Sequence, residues 1–155
     1  MVRSKPAQCV VVALAATTLI ALPADAATGY TPEGICGNGF GRVDDGTRAV
    51  VDGRGIVFGH VYLLYSARTG ENCAVTIKTK YVGEPTWTGV SLARRGLDKR
   101  QDANYFTHYA GPVKAYAKGR CVAYQGVVTG LRAGDRFVSS TPRALGERTA
   151  WGNCG

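Results

Sequence analysis

A period-two stretch, Gly59 to Lys80 (GHVYLLYSARTGENCAVTIKTK), confines this chain to a β fold more firmly than anything else in its sequence. In its second half Cys73, Val75 and Ile77 point one way and Ala74, Thr76, Lys78 and Lys80 the other, the pattern of a strand with one buried and one wet face. Its first half carries two apolar rows, Val61, Leu63, Tyr65 and Ala67 on one side, Tyr62 and Leu64 on the other ahead of Ser66 and Arg68. A turn at Thr69 to Asn72 joins the halves into a hairpin. An odd loop, Gly70 to Asn72 with a left-handed residue and a bulge, sets Leu63 and Tyr65 beside Val75 and Ile77; an even loop sets Tyr62 and Leu64 there. The row that is apolar along its whole length favours the odd loop.

Met1 to Ala26 has the three parts of a secretory signal: Arg3 and Lys5, the apolar run Cys9 to Leu22, then Pro23 and the small-residue site Ala24-Asp25-Ala26. The apolar run is 14 residues, short of the roughly 20 that cross a bilayer as a helix, so cleavage after Ala26 is expected and no membrane span after it. Removing 26 of the 155 residues leaves 129 and, with Arg3, Lys5 and Asp25 gone, lowers the formal charge from +8 to +7. That is one domain, 27–155. All 21 glycines fall within it, which points to a turn-rich all-β fold.

The exported part keeps Cys36, Cys73, Cys121 and Cys154. An even number in an oxidising compartment reads as two disulfides, and no CxxC pair or Cys/His cluster has zinc spacing. Four cysteines allow three connectivities, and sequence does not choose among them. The favoured one joins Cys36 to Cys73 and Cys121 to Cys154, because each bridge would tie a terminal segment to a hairpin strand.

Further strands are expected at Phe40 to Val43, Arg48 to Val51, Trp87 to Arg94 and Arg136 to Ser140, with loop between Asp44 and Gly55. The basic run from Arg94 to Arg100 and on to Asn104 reads as exposed loop. A second hairpin is expected where Val113, Ala115 and Ala117 oppose Lys114, Tyr116 and Lys118, Gly119-Arg120 turns the chain, and Cys121 to Gln125 returns it. The tail beyond Ser140 is Arg-rich and irregular until Trp151 and Cys154. The fold is thus a small antiparallel β-sandwich or barrel built from hairpins and stapled by disulfides, behind a signal-peptide helix.

Four stretches together resemble the spore-associated protein family, small exported proteins of filamentous, spore-forming actinobacteria. They are Gly34 to Phe40 (GICGNGF), the hairpin from Val61 through Thr69-Gly70-Glu71-Asn72-Cys73 to Thr76, the run Tyr109 to Val122 around Gly111-Pro112 and Lys118-Gly119-Arg120-Cys121, and the ending Asn153-Cys154-Gly155. They span most of the exported chain and hold all four cysteines. The resemblance implies export and association with the spore or cell surface, and it supplies no catalytic residues. The chain departs from the family pattern at Tyr124, at Ala103 and in its longer Arg-rich stretch from Leu131 to Ala150.

The residues themselves argue for binding over catalysis. A charge of +7 on a small domain attracts polyanions such as wall teichoic acids and acidic exopolymers. Arg94, Arg95, Lys99 and Arg100 form the densest patch; Lys114, Tyr116 and Lys118 form a second, with an aromatic between charges. No specific nucleic acid is implied. A ribonuclease-like hydrolase would need His108 with Glu84 or Glu147 and an arginine, and His60 is the only other histidine. A secreted inhibitor of a protease or other hydrolase would use an exposed loop, here Asp98 to Asn104. No nucleophile, phosphate-loop or zincin motif is present, Asp44, Asp45 and Asp52 lack calcium-loop spacing, and no cofactor or metal is expected. The chain reads as a non-enzymatic component of the cell or spore exterior.

Overall fold

A computed structural model describes residues 29–154; the leader expected at 1–26 lies outside them. A five-residue helix, α1 (Pro32–Cys36), precedes eight strands: β1 (Gly41–Asp52), β2 (Val57–Ser66), β3 (Glu71–Lys78), β4 (Thr86–Arg94), β5 (Lys99–Phe106), β6 (Tyr109–Tyr116), β7 (Val122–Arg132) and β8 (Arg143–Gly152). They form one antiparallel sheet in the order β5-β4-β7-β8-β1-β2-β3-β6. The sheet curls until its edge strands β5 and β6 lie side by side, a nearly closed barrel. Strand direction alternates, so one pole carries the turns 53–56, 79–85, 107–108 and 133–142, and the other carries 67–70, 95–98 and 117–121.

The barrel interior is filled by Phe58, Val61, Leu63, Leu92, Val122 and Val128 among others, all almost fully buried. Its walls come close where side chains are small. A Cβ on Gly126 would meet Thr76 Oγ1 at 2.5 Å and Val61 Cβ at 2.6 Å, so β7 meets β2 and β3 only with glycine there. A second core lies outside the barrel wall. Tyr62, Leu64, Cys73, Val75 and Ile77 form its floor, and α1 with Ile35, Cys36 and Phe40 covers it. Thr31 caps α1 by accepting from the Gly34 N–H, Pro32 occupies its first turn, and the Cys36–Cys73 disulfide bolts it to β3. A second disulfide joins Cys121 to Cys154.

This outer core overturns the odd-loop register. Ser66 pairs with Glu71 across four residues, Tyr62 with Val75 and Leu64 with Cys73. The expectation assumed one wet face, but β2 and β3 are buried on both. The row that reads as wet, Ala74, Thr76 and Lys78, is the one that faces the interior, where the Thr76 hydroxyl donates to Gly89 O at 3.0 Å. With both rows buried, hydrophobicity cannot select a register, and the turn does so. Gly70, at φ +70°, closes an even loop by donating to Ser66 O at 2.8 Å.

Five other expectations change. Residues 41–43 and 48–51 belong to a single strand, β1, with Phe40 just ahead of it, and its register slips between Arg42 and Thr47; Asp45 bulges there at φ 57°, with both carboxylate oxygens held by the Arg48 guanidinium. The second hairpin does not form. Its turn exists, with Arg120 N donating to Ala117 O, but it carries the chain across the pole, because β6 pairs with β3 and β7 with β4 and β8. Residues 136–140 lie in the 133–142 turn, where Asp135 and Thr141 side chains bind the Arg132 and Val138 N–H groups. The tail read as irregular supplies β8 instead. Residues 99–104, read as loop, are most of β5, paired residue by residue with β4 from Lys99 opposite Ala93 to Phe106 opposite Thr86.

Candidate functional site

The two basic patches, far apart in sequence, meet where β5 faces β6. No backbone ladder joins these strands; side chains close the seam. The Asp102 carboxylate accepts from the Gly111 N–H at 2.8 Å, Arg100 donates to Lys114 O at 3.0 Å, and Arg94, from the neighbouring β4, donates to Tyr116 O at 3.1 Å. This explains why β5 is polar on both faces: alternate residues Arg100 and Asp102 point to the seam while Lys99 and Gln101 line the outside.

The arginines of the seam are therefore committed. Arg94 also pairs with Asp98, its side chain only 11% exposed, and Arg100 approaches the same carboxylate at 3.6 Å. The Arg94 guanidinium, with Arg100 beyond it, holds the Asp98 carboxyl below its usual range. Lys114 places its ammonium 4.9 Å from the Phe40 ring centre, a cation–π contact. Tyr116 is 55% exposed and leans over Gly70.

Arg95 and Lys118 lie on facing turns of one pole, which the Arg95 N–H joins by donating to Cys121 O at 2.9 Å; both are exposed. Arg120, which sequence reasoning treated only as a turn residue, is exposed between them and Cys121. Its spacing from Lys118 across one glycine was the available signal. Lys99 is not brought into this group. It lines a shallow outer groove of about 140 Å³ with Ser91, Gln125, Glu147 and Arg148, where Gln125 donates to Glu147 at 2.6 Å.

The histidine readings find no constellation. His108 sits in the 107–108 turn with its Nδ1 2.9 Å from the Thr107 hydroxyl and its ring against Tyr30. His60 lies on the outer face of β2 beside Tyr62. Glu84 pairs with Arg132 at the opposite pole from the basic turns, and Glu147 is on β8. Among the described residues no hydrogen bond or ion pair joins either histidine to either carboxylate or to an arginine.

One titratable group escaped the sequence reading. Lys78, fully buried, caps the barrel from inside, its ammonium donating to Glu84 O at 2.8 Å, Thr86 Oγ1 at 2.8 Å and Phe106 O at 3.0 Å. Burial lowers its pKa to about 8, with the Glu84 charge opposing.

No family model matches the chain, and no solved structure matches it. It is 37% identical over 128 residues to Spore-associated protein A of Streptomyces coelicolor, an alignment covering 78% of this chain and 77% of that protein.

Proposed function

The chain belongs to the spore-associated protein A family, and from that premise we propose that it is an exported, non-enzymatic protein held at the spore or cell surface by electrostatic binding to anionic envelope polymers. The observation that carries this reading is the pole at which Arg95, Lys118 and Arg120 stand exposed beside the seam. Asp98, the one carboxylate of the 95–98 turn, is already engaged by Arg94 and Arg100. Charges left uncompensated on one rigid surface attract a polyanion over about 8 Å at physiological ionic strength. The bond is weak and reversible, which suits a protein spread over a polymer layer.

Sedimentation of the purified protein with isolated walls or spores tests it. Binding is expected to fall as salt rises and to fall again in the Arg95→Gln/Lys118→Gln/Arg120→Gln variant. Arg94 and Arg100 are left intact because they hold the seam. Sedimentation indifferent to both salt and these substitutions overturns the proposal. Hydrolysis of RNA or glycans by the purified protein, abolished by His108→Ala, would overturn its non-enzymatic part.

A further inference from the structure

We propose that the other pole of the barrel docks onto an anionic lipid surface, with the 133–142 turn as its leading edge. Ten large hydrophobic residues of the described chain are exposed, and six of them, Val51, Ile56, Val57, Val82, Phe137 and Val138, lie in or beside three turns at this one pole. Phe137, at 59%, and Val138, at 51%, project furthest. Exposed apolar residues scattered singly carry no message; gathered at one end of a barrel they do.

The three turns form one surface. Tyr81 stacks edge-on against Phe58 with ring centres 5.6 Å apart. A Cβ on Gly130 would meet both Tyr81 Oη, at 3.1 Å, and Pro142 Cδ, at 3.4 Å, so the 79–85 and 133–142 turns pack on the same spot. Asp52 pairs with Ala144 and Val51 with Val57, which sets the 53–56 turn beside the start of β8.

Charge selects the partner. This pole carries Arg54, Lys80, Arg132, Arg136 and Arg143 against Asp52, Glu84 and Asp135. Asp52 is taken by Arg54 and by two backbone N–H groups, Glu84 by Arg132, and Asp135 by the Arg132 N–H. Lys80 lies 4.4 Å from the Phe58 ring centre. Arg136 and Arg143, on either side of Phe137 and Val138, make no ion pair among the described residues. Apolar tips ringed by unpaired arginines suit the boundary between lipid headgroups and acyl chains, where the tips enter the hydrocarbon and the guanidiniums meet phosphates.

Vesicle co-sedimentation of the exported protein tests this. Binding to vesicles containing phosphatidylglycerol is expected to exceed binding to pure phosphatidylcholine. The Phe137→Ser/Val138→Ser variant, altered only at exposed positions, should bind about tenfold more weakly or worse, and Arg136→Gln/Arg143→Gln should lose the preference for anionic lipid. The Arg95→Gln/Lys118→Gln/Arg120→Gln variant should bind vesicles as before, which separates this surface from the polyanion pole. A Phe137→Trp variant should shift its emission to the blue on vesicles and be quenched by brominated acyl chains. Vesicle binding unchanged by Phe137→Ser/Val138→Ser, a Phe137→Trp emission that vesicles do not move, or self-association through this pole in place of lipid binding would each overturn the proposal.

Discussion

The Lys78 ammonium reaches the carbonyl oxygen of Phe106 at 3.0 Å and ties the end of β3 to the end of β5 from within the barrel. A charge in that position is held by three acceptors but stripped of water, and its pKa of about 8 against an ordinary 10.5 records the net cost. Below pH 8 folded and unfolded chains both carry the proton, and the cost is borne in full. Between about 8 and 10.5 the unfolded chain binds a proton that the folded one does not, so stability should rise with pH by up to about 1.4 kcal/mol per unit, and level off above. Urea titrations of the native protein against Lys78→Met should show that rise in the first and its loss in the second; parallel pH profiles would refute the assignment.

Reduction should proceed in a fixed order. Cys36, at the end of α1, and Cys73, beneath it on β3, are fully buried, whereas Cys154 is exposed near the chain end. Increasing dithiothreitol followed by alkylation and peptide mapping should label Cys121 and Cys154 first. Loss of either bridge should cost about 4 kcal/mol by loop-closure entropy. Loss of Cys36–Cys73 should also detach α1, read as faster amide exchange in residues 33–36.

Gly126→Ala should destabilise the barrel by about 1 to 3 kcal/mol, since the new methyl has no space between Thr76 and Val61. Gly41→Ala, at a position with no atom within 4 Å and an ordinary φ, is the control and should change stability little. Equal melting temperatures for the two variants would refute the close approach of β7 to β2 and β3.

The all-β class, the β2–β3 hairpin and β4 were legible because period-two apolar rows and glycine turns are local signals. The β2–β3 register was not, because α1 covers the outer face of Tyr62, Leu64 and Val75, and a strand buried on both sides carries no mark of which side is inside. Nor was β5 legible. Lys99, Arg100, Gln101 and Asp102 look like loop until the seam gives Arg100 and Asp102 partners on a strand distant in the sheet. The turn at Gly119 and Arg120 was readable, but not that it crosses the pole. The basic patches were visible as charge; that Arg94 and Arg100 are spent on carbonyls, leaving Arg95, Lys118 and Arg120 free, depends on contacts between residues 22 and 14 apart.

Asp102→Ala should loosen the seam and little else. It leaves the Gly111 N–H without its acceptor, at a cost of about 1 to 2 kcal/mol. Hydrogen exchange at Gly111 and along β5 should quicken while β7 and β8 keep their protection. Uniform acceleration across all strands would show that the seam is not a separate unit.

With β5 and β6 fastened by side chains where every other neighbouring pair shares a backbone ladder, the wall behaves as a clasp, not a ring. Unfastening it would break no strand pairing and would bare two complementary edges at once. Those edges fit each other, so a molecule that springs open has its own best partner already in reach, and reclosing competes directly with joining a neighbour's edge at high concentration.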